Sequence, residues 1–94
     1  MFAKEPIDLE KISVEMSDKE ILRFALAAEL DAINFYEQMA EYTDDEYLKQ
    51  VLLDVAAEEK EHVGEFHTML LEKDEEQVEE LKEGREEVME MLNG

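Results

Sequence analysis

The sequence predicts an all-α fold, a long antiparallel helical hairpin followed by a shorter third helix, and three observations predict it. Residues 17 to about 42 contain no glycine or proline and carry apolar residues at three- and four-residue steps. Helix-start patterns recur at Ser17–Glu20, Thr43–Glu46 and Asp74–Gln77. No run alternates apolar and polar residues as a strand does.

Each element follows in order. Residues 1–16 contain Pro6 and have weak periodicity, which predicts an arm with at most a helical turn. The Ser17 hydroxyl and Glu20 carboxylate form a capping box that can satisfy the free N–H groups of a first helix, running to about Tyr42. Thr43 and Glu46 repeat that pattern, with Asp44 and Asp45 in a first turn where the helix dipole favours anions. The second helix is expected from Asp44 to Glu72. Two helices joined by so short a link must fold back on each other. A third helix opens at Asp74 and Gln77 and runs to about Leu92; Asn93 and Gly94 end it. Gly84 weakens this helix by about 1 kcal/mol relative to alanine. The 94 residues are therefore read as one domain, with an arm at 1–16, a hairpin at 17–72 and a C-terminal helix at 74–92.

Composition narrows the chemistry. The chain carries 28 acidic residues against nine lysines and arginines, a formal net charge of −19. Such a field repels nucleic acid and anionic membranes, so neither is an expected partner. Most of these acids serve as a solvated surface. There is no cysteine, which leaves carboxylates and two histidines as metal ligands, a donor set suited to iron or manganese. With no long apolar run and no opening signal segment, a soluble intracellular protein is expected. A chain this short buries little surface alone and often needs a metal or a partner chain.

The informative feature is charge where apolar residues are expected. One stripe on the first helix reads Leu22, Ala25, Leu26, Glu29, Ala32, Ile33, Tyr36. A second stripe, on the second helix, reads Leu52, Val55, Ala56, Glu59, His62, Val63, Phe66, Leu70. Glu29, Glu59 and His62 interrupt these faces, and a buried carboxylate requires a partner or a metal. A buried ion-pair network is the plainer alternative, but neither stripe contains a lysine or arginine. Glu59 and His62 form Glu-x-x-His, whose i, i+3 spacing sends both side chains to one side of a helix. In so glutamate-rich a chain that motif alone is weak. His67 has Gly64 three residues earlier and is read as a surface or rim histidine.

Position along the hairpin strengthens the grouping. Counted from Thr43, Glu29 lies 14 residues back and Glu59 16 forward. At about 1.5 Å of rise per residue, the two differ by roughly 3 Å in height. Di-iron carboxylate bundles use two single glutamates and two Glu-x-x-His motifs from four helices. This chain has one of each, so a two-fold dimer of hairpins would supply the whole set and close a four-helix core.

The segments Ala28-Glu29-Leu30-Asp31-Ala32-Ile33-Asn34-Phe35-Tyr36-Glu37-Gln38 and Glu58-Glu59-Lys60-Glu61-His62 resemble the encapsulated ferritins. The likeness is greatest to the ferritin-like domain fused ahead of the shell in some archaeal encapsulins, and it covers roughly Ile21 to Met91. The resemblance implies a ferritin-like four-helix bundle made by dimerisation. It implies a ferroxidase with two iron ions per dimer, held by Glu29, Glu59 and His62 of both chains. It also implies that Tyr36 stands beside the metal, although ordinary core packing explains that residue equally well. Members of the family form rings of dimers, commonly decamers, in the cytoplasm inside an encapsulin nanocompartment that stores the iron.

Two departures qualify the likeness. Some relatives carry acids at a cation entrance in positions that are Ala28 and Asp31 here, so only Asp31 can serve. Stand-alone members end in an apolar peptide that docks to the shell, whereas this sequence ends Met91-Leu92-Asn93-Gly94; a domain of a longer fusion is the expectation. Two other functions compete with ferroxidation. One is a rubrerythrin-like di-iron peroxidase, disfavoured by the lack of a cysteine-based electron relay; the other is a non-enzymatic acidic scaffold or shell cargo.

Overall fold

The computed structural model describes residues 17–94, which form three helices, α1 (Asp18–Tyr42), α2 (Glu46–Lys73) and α3 (Glu75–Asn93). There is no strand among the described residues. The arm expected over residues 1–16 lies outside them.

α1 begins as its sequence dictates. The N–H of Glu20 donates to Ser17 Oγ at 3.2 Å, and the Ser17 N–H donates to Glu20 Oε1 at 3.2 Å. This reciprocal box satisfies two of the free donors at a helix start. The start of α2 differs from the sequence expectation. Thr43 is not its cap and Asp44 is not helical: Asp45 Oδ1 accepts from the N–H groups of Tyr47 and Leu48, at 2.9 and 3.1 Å. Thr43 Oγ1 instead accepts from the Asp45 N–H at 3.1 Å and shapes the link. With three acceptor side chains in succession, the one nearest the helix takes the cap, since a carboxylate at the positive dipole end outcompetes a hydroxyl.

The link of residues 43–45 returns the chain, and α1 and α2 run antiparallel. Ion pairs mark the register: Asp18 meets Lys73 at 3.5 Å near one end, and Glu37 meets Lys60 at 3.0 Å nearer the turn. Ala32, Ile33 and Ala40 of α1 and Ala56 and Leu70 of α2 are buried between the helices. The small alanines let the backbones approach closely. Among the described residues no large side chain is fully enclosed, so the hairpin core is a thin one.

Part of the uncovered apolar surface lies on one flank of α2; other exposed apolar residues, Ile21, Leu30, Phe35 and Leu53 among them, lie elsewhere on the hairpin. Leu48, Val51, Val55, Phe66 and Met69 follow three-, four- and seven-residue steps along α2, and His62 sits in that same row. Val51 is 57% exposed and Met69 49%. Lys49 and Lys60 stand on the opposite flank by the same spacing.

α3 leaves the hairpin at a corner. Asp74 alone separates it from α2, with φ −138° and ψ 91°, outside the helical region. Asp74 is buried; its Oδ1 accepts from the Gln77 N–H at 3.1 Å and its Oδ2 from Arg23 Nη2 at 2.8 Å. Beyond Gln77 every residue of α3 is exposed, which gives the molecule extents of 47 × 45 × 20 Å.

The Gln77 N–H, followed by the Arg23 guanidinium, holds the Asp74 carboxyl below its ordinary pKa of 3.8 despite burial, which acts the other way. A carboxylate depressed in the folded state stabilises the fold above its unfolded pKa, and that contribution is lost as pH falls through the lower folded value. Asp74→Asn retains an N-capping side chain but not the charge. Thermal melts should show wild type the more stable above about pH 5, with the gap closing on acidification. A gap independent of pH would contradict this role for Asp74.

Candidate metal centre

α1 and α2 each present their interrupted stripe to the other, and the three sequence-selected side chains meet. His62 Nδ1 lies 3.5 Å from Glu29 Oε2 across the hairpin and 3.6 Å from Glu59 Oε2 one turn earlier on its own helix. One ligand atom from each residue lies within 4.8 Å of the other two. Among the described residues, this is the group of three or more carboxylates and imidazoles close enough to hold one ion.

These distances decide what the arrangement suits. At 3.5 and 3.6 Å the nitrogen–oxygen contacts are too long for good hydrogen bonds. Donors about 2.1 Å from a shared ion are about 3.0 Å apart at the right angles of a six-coordinate ion and about 3.4 Å apart at tetrahedral angles. The separations therefore match donors around an ion more closely than donors bonded to each other. Glu29 Oε2 is buried and has no hydrogen-bond partner, although a carboxylate oxygen in that position is costly unless something positive meets it. The donor set, two carboxylates and an imidazole without thiolate, fits iron or manganese.

The centre is open on one side. The Glu29 and Glu59 side chains are 19% exposed, but that of His62 is 43% exposed and stands on the apolar flank of α2. Three donors also leave first-row ions short of their usual coordination. The hairpin alone thus forms an incomplete centre facing outward through an apolar surface.

Asp31, the other sequence-selected acid, is not in the group. Tyr36 is half-buried on the Glu29 face of α1, about 10.5 Å further along the axis, and packs its ring at 60° to that of Phe35 with centroids 6.0 Å apart. Asp31 is half-buried on another side of α1. His67 is half-buried at the rim, on the flank of α2 away from His62. What sequence reasoning overlooked was the continuous apolar row through His62. Its three-, four- and seven-residue steps are legible in the sequence, where Val55, His62 and Phe66 also belong to the stripe that faces α1.

Titration with Co(II), followed by calorimetry, tests the grouping. Glu29→Ala, Glu59→Ala and His62→Ala should each weaken binding by about 100-fold or more, beyond the roughly 10–100-fold expected from losing an outer hydrogen-bond partner. His67→Ala should bind as wild type does. Unchanged binding in any of the first three would remove that residue from the centre.

A ferritin-like–encapsulin shell fusion protein of Pyrococcus furiosus is 65% identical over 72 residues, which are 77% of this chain and 21% of that protein. An encapsulin nanocompartment cargo protein of Myxococcus xanthus, EncC, is 39% identical over 75 residues, covering 77% of this chain and 58% of that one. The chain thus spans about a fifth and somewhat over half the length of these two relatives. The crystal structure of an encapsulated ferritin domain from Pyrococcus furiosus superimposes with a TM-score of 0.81 at 53% identity, covering 94% of this chain and 95% of that domain. The EncFtn-like family matches residues 4–92, nearly the whole sequence, and the chain belongs to that family.

Proposed function

We propose that this protein is a ferroxidase whose di-iron centre is completed by a second copy of the chain, and that it feeds iron storage inside an encapsulin compartment. The observation that carries the reading is the partnerless buried oxygen of Glu29, 3.5 Å from His62 Nδ1, at the edge of an exposed apolar flank. Two such flanks related by a two-fold axis would cover each other's apolar rows. The same symmetry brings together four glutamates and two histidines, the ligand complement of a carboxylate-bridged di-iron site.

Charge supports the substrate. Four carboxylates balance two Fe(II) ions, so the empty dimer site is strained by like charges and relieved by the ferrous pair. Hard anionic oxygen then stabilises Fe(III) over Fe(II), which favours transfer of electrons from iron to O₂. Glu29, Glu59 and His62 of each chain would hold the ions, with Glu59 as the carboxylate proposed to be shared between them. The imidazole of His62 would offer Nδ1, the nitrogen that faces both carboxylates, and leave Nε2 free for an orienting hydrogen bond. The acidic surface, with its net charge of −19, raises the local concentration of cations.

The compartment rests on the relatives, a ferritin-like–encapsulin shell fusion and an encapsulin nanocompartment cargo protein; the storage role is what iron oxidation inside such a compartment would serve. Partners are then a second copy of this chain, in a ring of dimers, and the encapsulin shell. No described helix is long and apolar enough to cross a membrane.

Turnover of Fe(II) with O₂, followed by Fe(III) absorbance, decides between this reading and an inert scaffold. Wild type should oxidise iron at many times the buffer rate, and Glu59→Ala should fall to that background. Equal rates for the two would sink the assignment. Faster oxidation with hydrogen peroxide than with O₂ would instead favour a peroxidase.

Assembly should also depend on metal, because ligands come from both chains and repel one another when empty. Native mass spectrometry should show small species in metal-free buffer and larger ones after Fe(II) is added. Identical masses in the two conditions would count against a shared centre.

A further inference from the structure

We propose that the Arg23–Asp74 ion pair is a clasp that sets the direction of α3 relative to the hairpin. Asp74 is the whole link between α2 and α3, so two backbone torsions decide where a 19-residue arm points. At about 1.5 Å per residue that arm is about 28 Å long, and a 30° change at the corner moves its tip by roughly 14 Å. Packing does not hold it: no residue of α3 is buried, and every residue past Gln77 is exposed.

The carboxylate holds it instead. Its Oδ1 takes the Gln77 N–H, in the first turn of α3, and its Oδ2 takes Arg23 Nη2, from α1. Both oxygens belong to one planar group, so the first turn of α3 and the α1 side chain share a single reference plane. The carboxylate is shielded from water, since Asp74 is 6% exposed and is the buried charged residue among those described, whereas the Arg23 side chain is 53% exposed. Arg23 and Lys19 are the cations that act on this carboxylate, while nearby Lys73 is engaged by Asp18 at 3.5 Å. Charge-assisted bonds of this kind are short, directional and about twice as strong as neutral ones.

The consequence concerns an apolar seam. Val78, Leu81, Val88 and Leu92 follow helical spacing along α3, and all are exposed. A clasped corner presents that seam in one fixed direction; an unclasped corner presents it over a wide cone. Arg23 and Asp74 are positioning residues, and their effect on α3 does not pass through the metal centre.

The chain contains no cysteine, so paired cysteines at the exposed positions Gln38 and Glu87 can be spin-labelled without background. Double electron–electron resonance should be recorded near pH 7, without metal, on labelled chains diluted into unlabelled ones. Wild type should give a narrow distance distribution. Arg23→Gln and Asp74→Asn should each widen it about two-fold or more, with helix content by circular dichroism unchanged, because either change frees the same two torsions. The double variant should be no wider than either single, as for groups acting through one contact. If Asp74→Asn melts α3, the half-exposed Arg23→Gln decides the matter. Wild-type width in Arg23→Gln, or a double variant clearly wider than both singles, would overturn the clasp.

Discussion

The candidate site and its flank depend on a buried carboxylate oxygen that has no hydrogen-bond partner in its own chain. Glu29 Oε2 faces His62 Nδ1 across the hairpin, too far for a good hydrogen bond, and Glu59 approaches the same nitrogen from the helix that carries it. Lys60 is the nearest cation in sequence, yet it points to the opposite flank and pairs with Glu37. The hairpin therefore concentrates negative charge at a point its own chain does not neutralise. Such a point is tolerable in a folded protein when an ion occupies it.

The same face lacks area as well as charge. A two-helix hairpin cannot enclose a large side chain from all sides, and none is fully enclosed among the described residues. The shortage of core and the excess of carboxylate lie together, along the row from Leu48 to Met69 that contains His62. On the proposed reading one event supplies both. A second copy covers the apolar row and brings the remaining ligands, while the ferrous ions neutralise what the two chains bring together. Assembly and chemistry become one equilibrium.

Much of this was legible in the sequence. The Ser17–Glu20 box opens α1 as its residues require, and Asp74 caps α3 through Gln77. Counting residues from the turn placed Glu29 and Glu59 at one height, and they meet His62 at one point. What was not legible came from competition and from distance. Thr43, Asp44 and Asp45 all can cap, and only the three-dimensional link shows that Asp45 does so while Thr43 supports it. Arg23 and Asp74 are 51 positions apart, with no periodic signal joining them, and the direction of α3 follows from that contact rather than from any local propensity. Tyr36 lies about two turns along α1 from Glu29, and spacing alone leaves its role in packing or chemistry open.

Anomalous diffraction at the iron edge from iron-loaded crystals tests the shared centre most directly. A centre completed by two chains predicts paired iron peaks roughly 3.5–4 Å apart, related by a two-fold axis. Each should lie near 2 Å from a His62 nitrogen, with Glu59 bridging. A lone iron held within one hairpin, or iron bound only elsewhere on the acidic surface, would contradict it.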